Sequence, residues 1–279
     1  MNILITTFTA VGTLFIIGML GFWLLSRRIL IDNVLGPLSV LAIDIALPCL
    51  IFTNILTQFN PEKYPLWWTM PFWWIGVTAF FWVMTLTVSM ISRKTSRSEF
   101  RFSLFFQNGI FFPLAIIVEL YGPHSPYVVD LFFFTLFYPA FFFNTAPLFF
   151  GKKIQSPNWL RIFNPILAAT ILAVAFRLIG VHHFIPEFVI SGMNLVGNMA
   201  VPLLMIILGG NIFLDMQKHG PIAVKETLKF ISMKNIIFPL ATLGILILLN
   251  PPYYIALIIM IQSAVPPITA VPILAEREG

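Results

Sequence analysis

Long stretches of this chain run without a single charged residue, and the few charges cluster in short gaps between them. Residues 1–26 carry none, and neither do 64–92, 102–118, 131–151 and 188–214, while 33–61 contains only Asp44. The longest run, 235–275, is roughly twice the ~20 residues that one helical crossing of a bilayer needs, and Asn250-Pro251-Pro252 punctuates it as a tight turn would. The pattern predicts nine helices, at 4–25, 35–57, 66–91, 101–121, 127–150, 162–180, 187–211, 228–249 and 252–275. Strands of a membrane barrel would alternate over ~10 residues, whereas these runs are continuously apolar, so helices are the expected spans. Trp67, Trp68, Trp73 and Trp74 crowd one end of the third helix, as an interfacial aromatic belt does.

The charges in the gaps give an orientation. Loops after odd-numbered helices hold Arg27, Arg28, Arg93, Lys94, Arg97, Arg101, Lys152, Lys153, Arg161, Lys218, Lys225, Lys229 and Arg277; loops after even-numbered ones hold Lys63 and Arg177. Thirteen against two is a strong positive-inside bias, so the N-terminus is expected outside and the odd loops in the cytoplasm. Lys234 lies inside the eighth helix and belongs to neither set.

Composition adds exclusions. Of 279 residues, 59% are hydrophobic and 10% charged, with a mean hydropathy of +0.94. A soluble domain is about 45–50% apolar and about 25% charged. There are too few charges here to coat a water-soluble globule, so a soluble enzyme and a disordered chain are both excluded. The net charge of +5 sits in loop gaps rather than on an aromatic-interleaved stripe, so no nucleic-acid partner is expected; the partner is the lipid bilayer. One cysteine, Cys49, cannot make an intramolecular disulfide. No Lys or Arg precedes Arg27, so the first apolar run is expected to stay as a span rather than be cleaved. HExxH and a glycine-rich phosphate loop are absent, and nothing reads as an enzyme, as ATP-driven or as needing a cofactor.

A duplication follows. Asp44-Ile45-Ala46-Leu47-Pro48 in the second helix is echoed by Asn198-Met199-Ala200-Val201-Pro202 in the seventh, 154 residues on. Gln107-Asn108-Gly109 before Pro113 in the fourth is echoed by Gln262-Ser263-Ala264 before Pro266 and Pro267 in the ninth, at an offset of 155 between the glutamines. Five helices per copy is an odd number, so the second copy enters the membrane from the opposite side. The expected fold is an all-α integral membrane protein with an inverted 5+5 repeat, 1–154 and 155–279, and broken helices four and nine. The same offset puts a partner of the fifth helix at about 281–304, beyond Gly279. The expectation is that a tenth helix is missing here, either lost or cut off or dispensed with, and truncation is the expected reason.

Proline inside a helix removes a hydrogen bond and clashes with the preceding turn, and in lipid the freed carbonyl needs a protein or water partner. The amides and hydroxyl of Gln107, Asn108, Gln262 and Ser263, with Gly109, stand beside the breaks. Pro113, Pro266 and Pro267 would maintain those breaks, and Pro48 and Pro202 are candidate hinges in the second and seventh helices. If two helices unwind and meet, their half-helix N-termini offer free N–H groups and a positive dipole end to a small anion. The alternative is that these groups only tie neighbouring helices together.

The run Leu41 to Phe52, ending Ala46-Leu47-Pro48-Cys49-Leu50-Ile51-Phe52, resembles the second-helix signature of the auxin efflux carrier family. Arg101, Asn108-Gly109, Phe111, Pro113-Leu114 and Tyr121-Gly122 are similar to its fourth helix, and Asn198 to Gly209 to its seventh. Pro239, Ser263-Ala264-Val265-Pro266 and Ala275 complete the match. The resemblance implies a bile-acid-symporter-like fold in which helices one, two, six and seven form a scaffold and the rest move as an elevator. It also implies an organic-anion substrate, such as auxin or a dicarboxylate like malate or malonate. Asn108 matches the family's crossover asparagine, and Pro113 and Pro266 its crossover prolines. Asp44 departs from an expected asparagine, Phe111-Phe112 are bulkier than usual, and the short loop after the fifth helix favours a prokaryotic form in the cytoplasmic (inner) membrane.

Asp44, the one acid well inside a span, reads either as a proton- or cation-coupling site or as a neutral group beside a polar cavity. Asn198 occupies the matching repeat position. Glu119 and Asp130, near helix ends, read as interfacial anchors. Asn54, Asn144 and Asn194 line a pathway or bond across helices. The adjacent His182 and His183 lack a third metal ligand, so no metal is expected. The reading is a secondary carrier of a small organic anion, with proton or sodium coupling and a homodimer left open. The alternatives are a sodium-coupled symporter of bile-acid type and a membrane sensor that kept the fold without transporting.

Overall fold

The computed structural model describes residues 3–93, 97–150, 164–218 and 224–268. Among them the chain is helical throughout, with one isolated antiparallel bridge, between Gln107 and Pro267. The helices are α1 (Ile3–Ser26), α2 (Leu35–Gln58), α3 (Trp67–Ile91), α4 (Arg97–Phe105), α5 (Phe111–Tyr121), α6 (Pro126–Phe134), α7 (Tyr138–Thr145), α8 (Pro165–Ile179), α9 (Glu187–Gly197), α10 (Ala200–Lys218), α11 (Val224–Leu249) and α12 (Tyr253–Ala264). Among the described residues, four stretches are long and apolar enough to cross a membrane: Leu35–Gln58, Trp67–Ile91, Glu187–Gln217 and Val224–Leu249. Shorter apolar helices include Val11–Ser26, Pro165–Ile179 and Tyr253–Ala264.

Proline chemistry explains where the expected spans change. Pro48 has no N–H to give the carbonyl four residues back, and the helix widens into a π turn over Leu41–Ala46, with the Leu47 N–H donating to the Ala42 carbonyl. Pro239 repeats the device: Met233–Ile237 is a π turn, and the Phe238 N–H donates to the Met233 carbonyl. The expected fourth helix starts earlier, at Arg97, and is interrupted at 106–110. Pro113 therefore lies in the first turn of α5 rather than inside a continuous helix, where its missing N–H costs nothing. The expected fifth helix is two, split at 135–137, with Pro139 opening α7. The seventh is divided at 198–199 and runs on to Lys218, and the eighth begins at Val224. The ninth ends at Ala264; residues 269–275 of that expectation, with Ala275, lie outside the described residues, as do Lys94, Lys152, Lys153, Arg161, His219 and Arg277.

The chain divides into two compact units. The first takes Met1–Tyr64, Leu114–Phe132 and Phe163–Gly220. In it α1 packs along α10, and α2 along α8 and α9. Glycine lets the first pair approach closely: a Cβ on Gly209 would fall 1.8 Å from the Gly18 carbonyl oxygen, and one on Gly21 would fall 2.1 Å from that of Ile206. In lipid, backbone proximity of this kind substitutes for the hydrophobic effect as the source of helix association. The end of α2 is held by Arg177, whose Nε donates to the Phe59 carbonyl at 2.8 Å and whose Nη1 donates to that of Leu56 at 3.1 Å.

The second unit takes Pro65–Pro113, Phe133–Ile162 and Pro221–Gly279. Here α11 and α12 form a hairpin about Asn250, a left-handed residue (φ 42°) followed by two prolines. An aromatic cluster fills the space between α3, α4 and α7: Phe106 meets Phe102 at 4.8 Å and Phe142 at 5.0 Å, and Trp82 meets Phe105 at 5.2 Å between ring centroids. Each such pair adds about 0.5–1.5 kcal/mol beyond area burial. Much of the phenylalanine excess is therefore packing.

Candidate functional site

Within the second unit, the interruption at 106–110 lies beside the one at 265–268. The residue before a proline is driven out of the helical region, and Val265, before Pro266, is extended at φ −72°, ψ 151°. That frees the Pro266 carbonyl, which accepts from the Asn108 N–H at 2.8 Å, while the Ile268 N–H donates to the Phe106 carbonyl at 3.0 Å. Two unwound segments thus satisfy each other as a short antiparallel pair. This is how non-helical backbone is tolerated away from water.

Side chains complete the accounting. Gln262, 1% exposed, donates from Nε2 to the Gly109 carbonyl at 2.6 Å and accepts at Oε1 from Gln107 Nε2 at 3.4 Å. Tyr138 donates its hydroxyl to the Gln107 carbonyl. Asn108, 3% exposed, accepts the Phe111 N–H at Oδ1 (3.1 Å), so its side chain caps the start of α5. The first-turn N–H groups of α5 beyond Phe111 have no intrahelical partner, and one of those positions is Pro113. Ser263 is buried, but its hydroxyl donates to the Met260 carbonyl at 2.7 Å and is turned to its own helix. The Gln107 Oε1 is buried without a partner.

The structure therefore brings Gln107, Asn108, Gly109, Gln262, Pro266 and Pro267 together in one unit. Two amides join the segments and one caps a helix. Ser263 is adjacent, with its donor already spent. Asp44, Pro48, Asn198 and Pro202 belong to the first unit. Asp44 is exposed on its π turn and makes no hydrogen bond or ion pair among the described residues. Asn198 is likewise exposed, at the α9–α10 division.

Other expectations change. Glu119 is exposed, as an interfacial group would be. Asp130 is 3% exposed and its Oδ2 has no partner, which contradicts an interfacial anchor: α6 continues past it to Phe134 and buries it. Asn54 and Asn144 bond back to the Leu50 and Ala140 carbonyls of their own helices, while Asn194 reaches His124 at 3.4 Å. His182 and His183 lie ring on ring, 3.9 Å between centroids, and no metal-holding group of His, Cys, Asp or Glu occurs among the described residues.

Two buried residues escaped the sequence reading. Tyr138 gave no signal, since a tyrosine beside Pro139 is unremarkable. Lys234 did: it is the sole charge between Lys229 and Glu276. It is 0% exposed, and its Nζ lacks a hydrogen-bond partner.

The family model described as "Membrane transport protein" matches residues 6–145 and 145–279. No curated protein matches the chain.

Proposed function

Because this chain belongs to the membrane transport protein family, that of the auxin efflux carriers, we propose that it is a secondary active carrier of a small organic anion, a carboxylate. It is a multi-pass membrane protein of a family of transporters rather than enzymes. In this reading it lies in the cytoplasmic (inner) membrane with its N-terminus outside, as the basic loops suggest.

One observation carries the proposal: two interrupted helices of one unit pair through unwound backbone, with Asn108 capping the new helix start beside them. A helix N-terminus at that depth is a ready anion site. The crossover of an inverted 5+5 repeat, 1–154 against 155–279, accounts for two interruptions that each accompany a glutamine, Gln107 and Gln262, 155 residues apart. An elevator is supported by the division of contacts: the first unit contains α1, α2, α8, α9 and α10, and the second α3, α4, α7, α11 and α12. Residues 114–132 fall with the first unit, so its composition is wider than the scaffold the resemblance implies. Sodium coupling is disfavoured because 106–110 and 265–268 contain no carboxylate to ligate an ion.

The test is thermal stability of the purified protein against monocarboxylates, dicarboxylates and indole acids, with and without sodium. An acid at about 100 times its dissociation constant stabilises a folded-state binder by roughly 2.7 kcal/mol. One acid class should raise the melting temperature of the wild type and leave Asn108→Ala, folded, unchanged. An equal shift in both would remove Asn108 from the site, and no shift with any acid would count against the anion.

A further inference from the structure

We propose that Lys234 is the positive charge of the anion site, the group against which the carboxylate of the substrate is placed. The inference rests on the reading of the paired breaks as that site and adds a residue which neither the repeat nor the family resemblance supplies.

Position comes first. Lys234 lies sixteen residues before the Asn250 turn and Pro266 lies sixteen after it. At about 1.5 Å per residue, both are about 24 Å from the turn along the α11–α12 hairpin. The π turn that carries Lys234 packs against α12. Lys234 is thus level with the break at 265–268, and through the Gln107–Pro267 bridge the 106–110 segment joins that level.

Charge comes second. An ammonium buried away from water needs a partner, and Lys234 has none among the described residues. Its Nζ rests 5.2 Å from the ring centre of Phe238 and 5.7 Å from that of Phe81. One turn along α3 from Phe81, Thr85 is 0% exposed and its hydroxyl is also unpartnered. The elements around it supply no acid. α3 has no ionisable residue, and those of α12 are only Tyr253 and Tyr254, at the turn end. On α11, Lys225, Glu226 and Lys229 lie at least five residues earlier, and Glu226 is already engaged by Lys229 at 2.9 Å and Arg93 at 3.5 Å. On α4, Glu99 is exposed, Arg97 donates to the Ser92 carbonyl and Arg101 to the Ser89 hydroxyl at 2.8 Å. A cation held at the level of a helix N-terminus, with no anion to meet it among the described residues, is built to receive one from outside.

The experiment compares malonate, indole-3-acetate and benzoate with their uncharged amides, by thermal stability and calorimetric binding. Wild type, Lys234→Met, Lys234→Arg and Asn108→Ala are the proteins measured. The expectation is that the wild type binds an acid and rejects its amide. Lys234→Met should bind that acid at least tenfold more weakly, with discrimination against the amide lost. It should also melt higher than wild type without ligand, since an unpaired buried cation has become apolar. Lys234→Arg should keep the preference for the acid. If Lys234→Met leaves affinity and discrimination intact while Asn108→Ala abolishes binding, the inference about Lys234 fails and the anion site stands. If no acid binds the wild type, both fail. Should Lys234→Met not fold, acid–amide discrimination lost in Lys234→Arg would overturn the inference, and discrimination retained would support it.

Discussion

A single methyl group tests how α1 meets α10. Gly209→Ala would drive a Cβ to 1.8 Å from the Gly18 carbonyl oxygen, which is backbone and cannot rotate away. Overpacking of this kind typically costs about 1–3 kcal/mol, so the variant should melt well below wild type. Gly12→Ala, on α1 with open space around it, should be neutral or slightly stabilising, since alanine is the better helix former. Equal melting temperatures for the two would contradict the close packing. At this scale the sequence was legible where chemistry repeats. Gln107, Asn108 and Gln262 stood out because two copies carried amides before prolines. Lys234 was passed over because basic residues were weighed only for the side of the membrane they mark. Asp130 was misjudged because closeness to a span end was taken as exposure. Gly209 was seen as part of a motif, without the backbone contact that requires it.

Helices were legible as elements, but their interruptions only in part. Continuous apolar runs located the spans, since lipid leaves the backbone no alternative to internal pairing. What the runs hide is how each proline is accommodated. Pro48 and Pro239 are absorbed by π turns without ending their helices, whereas Pro113 and Pro139 open new ones. Composition does not distinguish these outcomes, because the choice depends on whether the freed carbonyls find partners nearby. The end of α2 offers an element-scale test. Arg177 reaches it from α8 with two charge-assisted hydrogen bonds, and bonds to charged groups contribute about 1.5–3 kcal/mol. Arg177→Gln should lower the melting temperature and speed amide exchange in the last turn of α2. Unchanged exchange there would mean that water serves those carbonyls equally well.

At the scale of the whole molecule, the account makes a statement about sidedness before it makes one about transport. In a Cys49→Ser background, Glu62→Cys should react with a membrane-impermeant maleimide on intact cells, and Arg93→Cys only after permeabilisation; both positions are exposed. The opposite labelling pattern would reverse the orientation read from the basic loops. The family was legible from ordered short motifs, and the match across 6–145 and 145–279 agrees with it. The interleaving of the chain into two units was not readable from composition, because it depends on which helices pack together rather than on what each contains. The central claim is that the chain carries an organic anion. Counterflow tests it most directly: purified protein in liposomes preloaded with the acid that stabilises it, and labelled acid added outside. The account predicts rapid labelled uptake with wild type and none above empty liposomes with Asn108→Ala. Wild-type protein that binds the acid yet exchanges it no faster than empty liposomes would contradict it and leave a sensor in its place.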